Sequence, residues 1–157
     1  MKKSFFLLLI SIFIASSGCA IDTTKTKSDK GELSDMKIRV QITSDSGKSE
    51  LTATLADNSS ATAFFELLQK EAVTIEMHDY GSFEKVGSLG TTLPRNDTQI
   101  KTTAGDIILY QGNQITIYYD KNSWNFTRLG KIDGKSQAEL KEILGKGDVT
   151  AVFDILR

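Results

Sequence analysis

Ile38, Val40 and Ile42 alternate with Arg39, Gln41 and Thr43, and the same period of two returns in Leu51, Ala53 and Leu55, in Val73, Ile75 and Met77, and in Val149, Ala151, Phe153 and Ile155. A strand sends successive side chains to opposite faces, so each of these runs has one buried side and one side open to polar neighbours. The stretch SDSGK at 44–48 turns the first run back onto the second and predicts an opening hairpin. Ile107, Ile108, Leu109 and Tyr110 form a nearly unbroken apolar run, the pattern of a strand covered on both faces. Gln111 to Gln114 carries a turn signal, and Ile115 to Tyr119 returns as the partner strand. Trp124 to Leu129 supplies another strand, with Trp124 assigned to the core, and short extended pieces are expected at Glu84–Ser88 and Thr98–Lys101.

Two segments break the alternation. After the cap candidates Asp57 to Ser60, the residues Ala61, Phe64, Phe65 and Leu68 fall at i, i+3, i+4 and i+7, which predicts one short amphipathic helix. Ser136 followed by Glu139 is a capping box, Leu140, Ile143 and Leu144 make an apolar stripe, and Gly145 stands where a helix end accepts positive φ. About eight short strands, two short helices and no βαβ rhythm predict a mostly β chain. Its strands pair antiparallel and close into a barrel, which removes exposed sheet edges.

The N-terminus reads differently. MKKSFFLLLISIFIASSGCA has a basic start at Lys2 and Lys3, an apolar run from Phe5 to Ala15, and then small residues ending in Cys19. At about 1.5 Å per residue that run is too short for a hydrocarbon core of about 30 Å, so it reads as a cleavable leader over residues 1–18. Ser16-Ser17-Gly18-Cys19 resembles the lipobox of bacterial lipoproteins, with Ser16 where that pattern prefers Leu. The resemblance implies that Cys19 is acylated and that the protein sits in the bacterial cell envelope, outside the cytoplasm, with membrane lipid as its first partner. Each buried CH₂ of an acyl chain contributes about 0.8 kcal/mol, so several chains anchor a protein without a spanning helix. Cys19 is the sole cysteine, which leaves no internal disulfide. Residues 19–35 then form the lipidated Cys and a polar tether that cannot bury enough surface to order itself. It reaches on the order of 20 Å from the lipid. Residues 36–157 make up the globular domain.

Charge excludes one class of partner. Setting Lys2 and Lys3 aside from the 19 basic side chains leaves 17 against 20 acidic ones, so no basic surplus exists to draw nucleic acid by counterion release. No cofactor is expected either. His78, the single histidine, lies on the more polar face of its strand, without the companions that a metal site or a general base would need.

The stretch MHDYGSFEKVGSLGTTLPRND, 77–97, is the long connection of the domain, and loops of such length inside compact domains are usually functional. Its glycines match neither a dinucleotide fingerprint nor a phosphate loop. It is read as a lip over a binding surface, with Tyr80, Phe83, Lys85 and Arg95 as contact candidates; the alternative is that Phe83 and Leu89 pack it onto the barrel. A second candidate set is Tyr110, Gln111, Asn113, Tyr118, Tyr119, Trp124 and Phe126, aromatic and amide side chains suited to stacking a peptide or small ligand, although alternation must turn about half of them to the core.

The blocks DYGSFEKVGSLGTTLPRND, AGDIILYQGNQITIYY, SWNFTRLGKIDG and GDVTAVFDI resemble the bacterial cyclophilin-like family of small β-barrel domains, over about Met36 to Arg157. The resemblance implies a closed barrel with helices over its ends. Cyclophilin enzymes themselves carry an Arg, a Phe-Met-x-Gln-Gly-Gly-Asp block and a later His beside their groove, and that block is missing here. Gln114-Ile115-Thr116-Ile117 and Gly130-Lys131-Ile132 are similar to two of their strands. The leading expectation is therefore a membrane-anchored module that binds a small ligand or peptide. The alternatives are a peptidyl-prolyl isomerase for exported proteins, in which Arg95 or Arg128 would polarise the proline amide, and a non-catalytic subunit of a surface assembly.

Overall fold

The protein is described by a computed structural model for residues 36–145 and 147–156. The leader, Cys19 and the tether lie outside the described residues. The strands are β1 (Lys37–Ser44), β2 (Gly47–Leu55), β3 (Val73–Tyr80), β4 (Glu84–Ser88), β5 (Thr98–Lys101), β6 (Asp106–Tyr110), β7 (Gln114–Tyr118), β8 (Ser123–Ile132) and β9 (Val149–Ile155). Helix α1 (Ser59–Lys70) follows β2, and α2 (Gln137–Leu144) follows β8. None of the described helices is long and apolar enough to cross a membrane.

Eight strands run in the order β2-β1-β9-β3-β4-β7-β6-β8, and β8 pairs back onto β2, so the sheet closes into an antiparallel barrel. β5 stands outside the ring and pairs with β8 alone. The closing contact is short: Ala53, Thr54 and Leu55 face Ile132, Lys131 and Gly130. At that seam a Cβ on Gly130 would come within 2.6 Å of the Thr54 carbonyl oxygen, so the two backbones meet only because residue 130 has no side chain.

The period-2 runs face the interior as their spacing requires. Ile38, Val40, Ile42, Ala53, Ile75, Met77, Ala151 and Phe153 are all buried in one continuous core, together with Phe64 and Leu68 of α1 and Leu140 and Leu144 of α2. Each helix is capped by a side chain. Asn58 accepts from the Ala61 N–H and also donates to the Arg128 carbonyl, which ties α1 to β8. Ser136 and Glu139 form the reciprocal capping box of α2. A second, smaller cluster of Ile108, Tyr118 and Phe126 lies apart from the main core.

The stretch 77–97 is not one loop. Tyr80 to Phe83 make a tight turn, with Gly81 and Ser82 at φ of 60° and 59° and the Phe83 N–H donating to the Tyr80 carbonyl. The chain then enters the barrel wall as β4. Residues 89–97 are stapled down: the Leu93 N–H donates to the Gly112 carbonyl, Ser60 Oγ to the Pro94 carbonyl, and the Asn96 N–H to Thr127 Oγ1. Leu89 and Leu93 are buried in the main core, so this part packs the chain onto the barrel.

Gly130→Ala tests the seam. Overpacking against rigid backbone costs about 1–3 kcal/mol, and urea unfolding followed by circular dichroism should show a loss of at least about 2 kcal/mol. A loss under about 0.5 kcal/mol would mean that β2 and β8 do not meet this closely.

Candidate functional site

Residues directly opposite one another on paired strands share a face. Tyr80 faces Glu84, and Glu84 faces Tyr118; His78 faces Val86, and Val86 faces Thr116. All of these lie on the outer side of the barrel wall, opposite to Met77, Lys85 and Ile117. Beyond the end of β6, residues Ser123 to Phe126 of β8 leave the ring and pair with β5, forming a two-stranded flap. The flap's Trp124 and Phe126 share a face by period two. Between wall and flap lies a cavity of about 430 Å³, walled by His78, Tyr80, Glu84, Val86, Tyr110, Gln114 and Tyr118 on one side and by Asn122, Trp124 and Phe126 on the other.

Its floor is a set of packed rings. Tyr118 stacks on Phe83 with centroids 6.1 Å apart and leans on Phe126 at 5.8 Å, and Phe126 meets Tyr110 edge-on at 6.3 Å. Tyr80 crosses Phe83 at 5.9 Å. Tyr80 and Trp124 stay 58% and 62% exposed, so the rim offers two large apolar faces to a ligand. The assignment of Trp124 to the core is thus corrected: the segment that carries it extends past β6, where no core exists to receive it.

The candidate residues separate into three groups. Tyr80, Tyr110 and Tyr118 line the cavity, and Phe83 supports it from below. Gln111 and Asn113 sit in the β6–β7 turn, where Gln111 donates to the Tyr110 hydroxyl and the Asn113 carbonyl accepts from the Leu89 N–H; neither lines the cavity. Lys85, Arg95, Tyr119 and Arg128 are elsewhere. Arg95 is exposed and paired with Asp97, and Arg128 reaches the buried Asp106 at 3.2 Å, a carboxylate that also takes Lys131 at 3.2 Å.

Lys85 is fully buried on the inner side of the wall, so it is not a lip contact. Its Nζ donates to Asp79 Oδ1 at 2.7 Å and to the Gly147 carbonyl at 2.6 Å, and lies 5.5 Å from the centre of the Tyr119 ring. The Tyr119 hydroxyl donates to the same Asp79 oxygen at 2.5 Å. Desolvation works against the Asp79 carboxylate, but the Lys85 and Tyr119 hydrogen bonds outweigh it and hold its pKa below the ordinary range. The reason for the displacement is the three-residue connection Gly81-Ser82-Phe83: it hands the face of Tyr80 to Glu84 and the face of Asp79 to Lys85.

Sequence reasoning did not select His78, Glu84, Val86, Gln114 or Asn122 as site residues. The signal for the first three was present, because a three-residue Gly81-Ser82-Phe83 connection pairs Tyr80 with Glu84 and places His78 and Val86 on the same face. Among the described residues Glu84 is the one acid in the cavity wall. It is 8% exposed, and its Oε2 is buried without a hydrogen-bond partner among the described residues. Among the described residues no Arg or Lys lines the cavity, and no group of three or more acids, His or Cys is placed to hold a metal ion.

A family model described as the cyclophilin-like family matches residues 44–154. Among solved structures, the chain is similar to the solution structure of the hypothetical protein AF2241 from Archaeoglobus fulgidus, with a TM-score of 0.53 and 12% identity over 76% of this chain and 94% of that one. At that identity the likeness is one of fold. No curated protein matches the chain.

Burial raises the Glu84 pKa above its ordinary 4.5, and this outweighs the Tyr118 hydroxyl and the His78 ring, which both favour the carboxylate. A carboxyl whose folded pKa is raised binds its proton more tightly when folded. Its contribution to stability is therefore full at acid pH and falls as pH rises above the unfolded value of about 4.5. Glu84→Gln removes that fall. In urea titrations the variant should be more stable than the parent by on the order of 1 kcal/mol at pH 7, with the gap closing toward pH 4. A gap independent of pH would show that Glu84 is not held in a desolvated site.

Proposed function

The chain belongs to the cyclophilin-like family, and from that premise we propose that it is a binding module, tethered to a membrane through acylated Cys19, that holds a small ligand or an extended peptide in the aromatic cavity on the outer wall of its barrel. The observation that carries this reading is the cavity itself. Five aromatic side chains, Tyr80, Tyr110, Tyr118, Trp124 and Phe126, converge with Glu84 and the amides of Gln114 and Asn122 on one concave surface. Apolar walls with a few placed polar groups are the general character of ligand sites. Two of the rings stay largely exposed although a compact domain gains by burying such surface.

An isomerase would need a donor or cation aimed at the proline amide nitrogen to lower a barrier of about 18–20 kcal/mol. Arg95 and Arg128, the two residues considered for that role, are both paired away from the cavity. The geometry thus favours holding a ligand over twisting a peptide bond. The leader and Cys19 supply the place: the bacterial cell envelope, with the domain on a polar tether outside the cytoplasm.

Two measurements test the proposal. Cys19→Ala should release the protein from the membrane fraction into the soluble one; a variant that sediments like the parent removes the lipid anchor. NMR titration with a pool of blocked proline-containing peptides should move the signals of Tyr80, Glu84, Tyr118 and Trp124 while leaving the cis–trans exchange of the peptides at its uncatalysed rate of tens of seconds or longer. Accelerated exchange would replace the binding module by an isomerase.

A further inference from the structure

Glu84 is an acid in a place that disfavours charge. The β-ladder sets Tyr80 on one side of it and Tyr118 on the other, in direct register, and the flap brings Trp124 and Phe126 over the same surface. Burying a carboxylate without hydrogen bonds is costly, and the cost is recovered when an opposite charge or a donor arrives. Among the described residues no lysine or arginine lines the cavity; the Tyr118 hydroxyl and the His78 ring favour the carboxylate without outweighing its burial, and Glu84 Oε2 has no hydrogen-bond partner. The π faces of Tyr and Trp are themselves negative and attract cations within about 6 Å. A single carboxylate surrounded by rings is too poor in oxygen ligands for calcium or magnesium. An organic monocation meets both demands at once.

Building on the binding reading above, we propose that the cavity recognises an alkylammonium group that carries at least one N–H, lying against the Tyr80 and Trp124 faces and donating to the Glu84 carboxylate. The N–H is required because a fully methylated ammonium satisfies the rings but leaves the carboxylate without a donor. An anion is opposed by Glu84. A neutral amide supplies a donor without the charge that draws the carboxyl back to its ionised form.

Trp124 is the single tryptophan of the chain and lies on the cavity rim, so its fluorescence reports this site alone. Full-length protein in a neutral detergent is titrated with n-butylammonium, tetramethylammonium and butyramide. Saturable quenching or shift by n-butylammonium is expected, with tetramethylammonium and butyramide at least about fivefold weaker. Glu84→Gln, expected to fold at least as well as the parent, should lose at least about tenfold in n-butylammonium affinity, or about 1.4 kcal/mol. The same titration with acetyl-lysine-N-methylamide separates sources: tighter binding than n-butylammonium points to a lysine side chain of a peptide, equal or weaker binding to a free small amine. Butyramide binding as tightly as n-butylammonium, with no effect of Glu84→Gln, overturns the ammonium inference and leaves a ligand cavity. If neither these probes nor the proline peptides perturb Trp124, the cavity reading and the ammonium inference fall together.

Discussion

Closure of the ring is the constraint on which the rest of the structure depends. Three residue pairs between β2 and β8 complete it, and once they form, every strand has an inside and an outside that its register cannot exchange without moving a whole row of side chains through the wall. The approach at Gly130 is the steric condition for the seam. From closure follow the single continuous core, the burial of Lys85 on the inner side and the placement of Tyr80, Glu84 and Tyr118 on the outer one. Helices α1 and α2 add their apolar stripes to a core that the strands have already shaped.

The motif blocks that carry the family resemblance serve both this architecture and the site. Asp106 of the Gly-Asp-Ile block is buried and receives Arg128 and Lys131 of the Arg-Leu-Gly-Lys-Ile block, and Gly130 between them lies at the seam. Asp79 of the Asp-Tyr-Gly block pairs with Lys85, whose ammonium would otherwise be a bare charge in an apolar interior. The same blocks also carry most of the cavity wall, Tyr80, Glu84, Tyr110, Tyr118, Trp124 and Phe126 among it. Motif residues fixed by the geometry of a fold need not say what the fold binds.

Much of the architecture was legible in the sequence because alternation, turn chemistry and capping agree locally. The barrel with two short helices, a cap among Asp57 to Ser60 that the structure places at Asn58, the capping box at Ser136, and the extended pieces at Glu84–Ser88 and Thr98–Lys101 all follow from periods and turn residues. The site was half legible. Tyr110, Tyr118 and Phe126 were named from composition, but their burial against one another depends on β5 drawing the start of β8 away from the ring, a tertiary event with no local signature. Lys85 was taken for a contact because a charged residue in a glycine-punctuated stretch reads as exposed, and only the phase of the β3–β4 hairpin shows otherwise. Arg95 was misplaced for a related reason: the hydrogen bonds that pin residues 89–97 come from Ser60, Gly112 and Thr127, all distant in sequence.

The cavity lies outside the wall, in a cluster separate from the main core, and this separation bears on how the domain can work. A ligand site built inside an eight-stranded barrel competes with the side chains that fill it, because a ring of that size has little room to spare. Here the interior is filled by aliphatic side chains together with Phe64 and Phe153, and a concave surface is made by adding a flap to the exterior. Residues such as Trp124 and Tyr80 can therefore change with little loss of core packing, whereas Ile117 and Met77, on the reverse face of the same wall, cannot. Glu84 is the charged exception on an outer face where Thr116 Oγ1 is also buried without a partner among the described residues: it accepts a desolvated position that an apolar residue would fill more stably. A desolvated carboxyl kept at a ring-lined concavity is the physical feature of this wall on which the proposed ligand chemistry rests.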